Sequence, residues 1–159
     1  MKALPKIISR AEAAAIREAH AGQTLVFTNG CFDLLHVGHV RYLQAARGRG
    51  DVLVVGLNGD DSVRQLKGPK RPLNPEAARA EVLAALCAVD HVVIFDEPRV
   101  TTLLAEVRPD VYVKGGDYTL ETLNREELAV VQRLGARVEL IPMVPGFSTT
   151  GILQKMGGG

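Results

Sequence analysis

The run Asp51-Val52-Leu53-Val54-Val55-Gly56-Leu57 constrains this chain more than any other stretch. After Asp51 no polar side chain interrupts it. A strand with one wet face alternates apolar and polar residues. An unbroken apolar strand is instead covered on both faces, as in a parallel sheet between two layers of helices. The rest of the chain supplies both kinds of partner in alternation.

Ser9 is placed to cap a helix from Arg10 to about His20, rich in alanine and ended by Ala21-Gly22. A first strand follows at Thr24 to Thr28, then a glycine-containing turn, then a helix from Val37 to Arg47 closed by Gly48 and Gly50. After the second strand come Asn58-Gly59-Asp60-Asp61 and a short helix from Ser62 to Leu66. The stretch from Lys67 to Pro75 is basic and full of breakers, so it reads as a loop. Asn74 and Pro75 read as cap and first turn of a helix from Glu76 to about Ala88. Further strands are expected at His91 to Phe95, Pro109 to Val113 and Arg137 to Ile141. Helices are expected at Arg99 to Val107, Glu121 to Leu134 and after Ser148-Thr149-Thr150. The pattern predicts an α/β fold: a Rossmann-like open parallel five-stranded sheet with helices on both faces. Loops after such strands share one edge of the sheet, where ligands bind.

At 159 residues, 47% hydrophobic and 23% charged, the chain has enough apolar sequence for one full core, so disorder is excluded and one domain over residues 1–159 is expected. A net charge of +1 gives no general attraction to nucleic acid. Cys31 and Cys87 lie too far apart to make a metal or redox motif. The first residues place lysines either side of Pro5 with no apolar core, unlike a signal peptide, and no apolar run nears the ~20 residues that span a bilayer. A cytoplasmic protein with reduced thiols is the expectation.

Two of the four histidines sit in one short turn, His36-Val37-Gly38-His39, where strand gives way to helix. Backbone N–H groups at a helix start lack partners and favour anions, imidazoles can donate to phosphate oxygens, and Gly38 lets a phosphate come close to the backbone. No third ligand at metal-motif spacing accompanies them, so zinc is not expected.

Gly-Cys-Phe-Asp-Leu-Leu-His-Val-Gly-His, Gly30 to His39, resembles the signature of the nucleotidyltransferase superfamily defined by His-x-Gly-His. Leu66-Lys67-Gly68, Arg71-Pro72-Leu73-Asn74-Pro75, Val113-Lys114-Gly115-Gly116-Asp117-Tyr118 and Ser148-Thr149-Thr150 extend the likeness in order, from about Ala21 to Met156. Together they resemble the adenylyltransferase domain of ADP-heptose synthesis, in its stand-alone form. The resemblance implies transfer of AMP from ATP to D-glycero-β-D-manno-heptose 1-phosphate, with Mg²⁺ carried by the ATP, in a homodimer. Positioning and electrostatics supply most of the catalysis in such reactions.

By that resemblance His36, His39 and Lys67 are the catalytic residues, with His39 nearest the α-phosphate. Asn29, Gly30, Cys31, Phe32, Gly38, Lys114, Gly115, Asp117, Ser148, Thr149 and Thr150 join the histidines around the nucleotide, and Arg71 contacts a phosphate or the sugar phosphate. Asp33 is placed to orient the acceptor or Mg²⁺, while Asn58 and Asp60, after the second strand, are candidates for sugar hydroxyls. Asn58 and Asp60 equally suit turn caps. Cys31 has no base beside it in the chain and reads as a packing residue. The rival within the superfamily is a cytidylyltransferase for glycerol 3-phosphate or another polyol phosphate. Those enzymes carry Arg-Thr-Glu-Gly-Ile-Ser where this chain has Met143-Val144-Pro145-Gly146-Phe147-Ser148, so the arginine and glutamate are missing. A nucleotide-binding module without catalysis is the alternative of another class.

Overall fold

The computed structural model describes residues 5–116 and 118–157. Strands β1 (Leu25–Gly30), β2 (Val52–Asn58), β3 (His91–Phe95), β4 (Val111–Gly115) and β5 (Arg137–Ile141) form one sheet in the order β3-β2-β1-β4-β5. Every pair is parallel, with Leu25 opposite Val52 and Val26 opposite Val111. The helices are α1 (Arg10–Ala14), α2 (Ile16–Ala19), α3 (Val37–Arg47), α4 (Asp60–Lys67), α5 (Glu76–Ala84), α6 (Thr101–Val107), α7 (Arg125–Leu134) and α8 (Thr149–Gly157).

The sheet separates two cores, and the period of two along each strand decides which residue enters which. Leu25, Phe27, Val52 and Val54 pack with Ala13, Ile16, Leu103, Leu104 and Val131 on one side. Val26, Leu53 and Val55 pack with Leu43, Ala46, Ala80 and Leu83 on the other. All of β2 is buried, as its unbroken apolar run requires. The outer edge of β3 is not bare: Ile8 N–H donates to Val92 O at 2.9 Å and Val92 N–H to Lys6 O at 2.7 Å. Among the described residues no helix is long and apolar enough to cross a membrane.

Several boundaries differ from those the sequence suggests. The expected first helix breaks at Ala15, whose N–H is shared between the Ala11 and Glu12 carbonyls. β1 continues through Asn29 and Gly30, expected as turn, because Gly30 still pairs with Leu57. α4 takes in Asp60 and Lys67, because the Glu76 carboxylate accepts the Asp60 N–H at 2.7 Å and so caps the helix from outside. Asp60 returns the bond to the Glu76 N–H at 2.9 Å, and Pro75 rather than Asn74 holds the cap position of α5. That helix stops at Ala84 instead of Ala88, giving way to tight turns at Leu86 and Val89 that bury Val89. α6 begins at Thr101, two residues late, and β4 begins beyond Pro109, which has no N–H for a ladder. α7 starts at Arg125 because the Asn124 side chain accepts from the Glu126 and Glu127 amides, leaving Thr119 to Thr122 as a separate turn.

Candidate active site

The sheet order reverses direction between β1 and β4, and ligands of open α/β sheets bind at the carboxyl ends of strands at such a switch point. A cleft of about 910 Å³ opens there, walled by the ends of β1 and β4, the start of α3, the end of α4 and the start of α8.

The wall at β1 is held by backbone geometry. Phe32 takes a left-handed conformation, φ 45°, uncommon for a bulky residue. This puts its ring beneath His39, with centroids 5.5 Å apart, and leaves Phe32 only 7% exposed. His36 then caps α3: its Nδ1 accepts the Gly38 N–H at 3.1 Å, while His39 Nδ1 accepts the His36 N–H at 3.3 Å. A ring nitrogen that accepts a hydrogen bond carries no proton. Both neutral rings therefore hold theirs on Nε2, and among the described residues neither Nε2–H has a hydrogen-bond partner. Burial pushes the His36 pKa below its ordinary value. Burial, and then the neighbouring His36 ring, lowers that of His39 to about 4. Gly38 is required by the same packing: a Cβ there would lie 2.8 Å from His36 Cε1 and 3.3 Å from Phe147 Cβ.

The other walls bring cations and a second helix start. Lys67 ends α4, exposed, and Lys114 is the last residue but one of β4, with its side chain 12% exposed. At α8, Ser148 Oγ accepts the Gly151 N–H at 2.9 Å, and Thr149 Oγ1 donates to Leu34 O at 3.2 Å, pinning the helix start beside the histidine turn. Thr150 lines the cleft above them. A triphosphate in this space meets two imidazole donors, two helix N-termini and two ammonium groups.

Asn29, Gly30, Cys31, Phe32, Asp33, His36, Gly38, His39, Lys67, Arg71, Lys114, Gly115, Ser148, Thr149 and Thr150 all line this one cleft. Asp117 lies outside the described residues. Asn58 and Asp60 do not reach the cleft, a correction to their reading as sugar contacts. Asn58 is 5% exposed, its amide donating to Ser62 Oγ at 2.9 Å. Asp60 is tied to Glu76 and to Arg79 Nη2 at 2.8 Å. Asp33 is committed as well, accepting from Arg71 Nε at 2.7 Å and from the Leu73 and Asn74 amides at 2.8 and 2.9 Å. Burial pushes its pKa up, but those two amides and the guanidinium outweigh that and hold it below the usual carboxylate range. It ties down the 71–74 loop with both of its oxygens engaged. Burial raises the Cys31 thiol more than Lys67, Arg79 and Arg71 lower it, so it stays a thiol.

Sequence reasoning missed several lining residues: Tyr42, Leu66, Tyr118, Thr122, Met143 and Phe147. Leu66, Tyr118, Met143 and Phe147 all lie in the stretches compared above and were recoverable, whereas Tyr42 and Thr122 lie outside them. Arg79 was also missed, since on a helix it looks like any surface arginine. It is 2% exposed and donates to the Cys31, Asn58 and Asn74 carbonyls at 2.7, 2.7 and 2.9 Å.

The sequence model of the cytidylyltransferase-like family matches residues 27–155. The chain belongs to that family. Among individual relatives of this cytidylyltransferase-like chain, the bifunctional protein HldE of Geotalea uraniireducens is 60% identical over 139 residues, covering 87% of this chain and 28% of that protein. The HldE protein of Acidiphilium cryptum is 52% identical over 158 residues, covering 97% and 32%. The chain thus spans less than a third of the length of these relatives. A lipopolysaccharide core biosynthesis protein from Thermoplasma volcanium superposes with a TM-score of 0.63 at 30% identity, over 77% of this chain and 98% of its own. A pantoate-β-alanine ligase from Francisella tularensis shares the fold, with a TM-score of 0.60 at 14% identity over 96% and 77%.

Proposed function

We propose that this cleft transfers AMP from ATP to D-glycero-β-D-manno-heptose 1-phosphate, giving ADP-heptose and pyrophosphate. The observation that carries the reading is the convergence of two Nε2–H donors, the α3 and α8 N-termini and two lysines on one cleft of a cytidylyltransferase-like chain. The likeness to HldE proteins, and to a lipopolysaccharide core protein, supports heptose as the acceptor.

The chemistry asks little covalent work of the protein. An oxygen of the sugar phosphate attacks the α-phosphorus in line, the bond from that phosphorus to the bridging oxygen breaks, and pyrophosphate leaves with the electron pair. Attacking and leaving groups are both anions, so no proton need move. His39 and His36 Nε2–H donate to the α-phosphoryl oxygens, where charge accumulates. Lys67 and the start of α8 hold the β- and γ-phosphates, and Arg71, held by Asp33 through its Nε, turns its remaining N–H groups to the acceptor phosphate. Asp33 is the one carboxylate among the described lining residues, with both oxygens engaged by Arg71, Leu73 and Asn74, and those residues contain no group of three His, Cys, Asp or Glu suited to a metal. That donor set fits Mg²⁺ bound by triphosphate oxygens and water, where it would neutralise the departing pyrophosphate. In the same proposal the chain is one nucleotidyltransferase domain that works in the cytoplasm as a homodimer.

The test is pyrophosphate release from ATP and Mg²⁺ with a panel of sugar 1-phosphates. Release with the heptose 1-phosphate is expected. Release only with CTP and glycerol 3-phosphate would make it a cytidylyltransferase, and ATP binding without turnover on any acceptor would make it a binding module.

A further inference from the structure

One buried carboxylate near the cleft has no part in the chemistry above. Glu127 is the third residue of α7 and 9% exposed. A glutamate at that position commonly folds back onto its own helix cap, as Glu12 does on Ser9 in α1. In α7 the cap is made by Asn124 alone, and the Glu127 side chain turns to Tyr112 and Lys114 of β4 instead. Its Oε2 lies 3.0 Å from the Tyr112 hydroxyl and 3.5 Å from Lys114 Nζ. Tyr112, 1% exposed, is also 2.9 Å from Asn29 Oδ1. Burial, reinforced by the Glu127 charge, drives the Tyr112 pKa far upward, so the phenol keeps its single proton and shares it between the Glu127 carboxylate and Asn29 Oδ1. Lys114 is braced besides by the Tyr112 and Tyr118 rings, 5.5 and 5.0 Å from its nitrogen.

We propose that Glu127 is a positioning residue for the cleft, fixing Lys114 directly and Asn29 through Tyr112 on the two strands, β4 and β1, that border the crevice. The proposal rests on the reading of the cleft as a nucleotidyl-transfer site. Lys114 and Asn29 lie next to the ends of neighbouring strands and line the same cleft. Without a common anchor their separation would follow the rotamers of two flexible side chains. A single carboxylate, held in the first turn of α7 where the helix dipole favours its charge, sets both at once.

The experiment compares the full chain with Glu127→Gln, Tyr112→Phe and the double variant. It reads kcat, the Kd of a non-hydrolysable ATP analogue with Mg²⁺, the Tm, and the Asn29 side-chain amide signal by NMR. Removing the charge leaves the cleft no less positive, so analogue affinity should stay within about threefold. Displaced donors should lower kcat by about 10- to 100-fold. Because both residues act on Asn29 through one path, the double variant should lose about as much as the worse single. A kcat within twofold of wild type in both single variants overturns the proposal, as does a kcat loss in the double variant that is the product of the single losses. If Glu127→Gln does not fold, Tyr112→Phe decides alone, since it keeps the Glu127–Lys114 ion pair and removes the hydroxyl that joins Glu127 to Asn29: lowered kcat supports, unchanged kcat overturns. If wild type releases no pyrophosphate with any acceptor, the transfer reading fails, and the Asn29 signal then decides the positioning. A shifted signal in a folded variant supports it and an unmoved one overturns it.

Discussion

Two imidazoles beside a helix start leave open which nitrogen holds the proton, and in this turn the backbone decides. Each Nδ1 accepts an amide N–H, so the nitrogen left over in each ring lining the cleft is a neutral Nε2–H donor. Asparagine can reproduce a Nδ1 acceptor but cannot extend a donor as far as Nε2. His39→Asn should therefore keep the cap and a Tm within a few degrees while lowering kcat by roughly 10²- to 10³-fold, the cost of one lost transition-state donor; thermal melts and steady-state rates check this. The acid limit follows from the same residues. His39 in the fold has its pKa lowered to about 4, so its contribution to stability is complete above the unfolded value near 6.5 and is lost as pH falls through about 4. Asp33, also lowered, loses its contribution at still more acid pH. Urea melts from pH 7 to 4 should show stability falling towards acid, and Asp33→Asn should already weaken the 71–74 loop at pH 7. The histidines, lysines and Ser-Thr-Thr were legible in the sequence because they are chemical groups in a fixed order. The tautomers were not, since they depend on which amide each ring meets.

At the scale of elements, the cleft's outer frame hangs on Arg79. This one guanidinium joins the loop after β1, the end of β2, the start of α4 and the loop before α5. Asp60 and Glu76 add reciprocal caps between α4 and α5. Arg79→Met has the right length to fill the space but no donors, so three carbonyls and a carboxylate lose their partner. A loss of about 3–5 kcal/mol is expected by urea denaturation. Arg79→Lys, a single point donor, should recover only part of it. This junction explains why element ends were the least legible part of the chain. β2 and β3 were readable from their apolar runs, whereas the start of α4 depends on Glu76, sixteen positions later, and no local pattern reports that contact.

For the whole molecule, strand and helix alternation carried the architecture, because each unbroken apolar run needs a helix on either side. A ligand that engages α3, α4, β4 and α8 together should stabilise the entire fold. A non-hydrolysable ATP analogue at about 100 times its Kd should add about 2.7 kcal/mol, seen as a rise in Tm. His39→Asn, which loses one donor, should show a smaller rise at the same concentration. Strand order also fixes a sequence in time. β1 finds β2 at Leu25–Val52, a short loop to close, but finds β4 only at Val26–Val111. Closing the longer loop is slower, so β1 waits with one edge open. During synthesis the histidine turn is made early and the crevice late: a nascent chain halted before residue 111 carries both imidazoles and has no pocket to put them in.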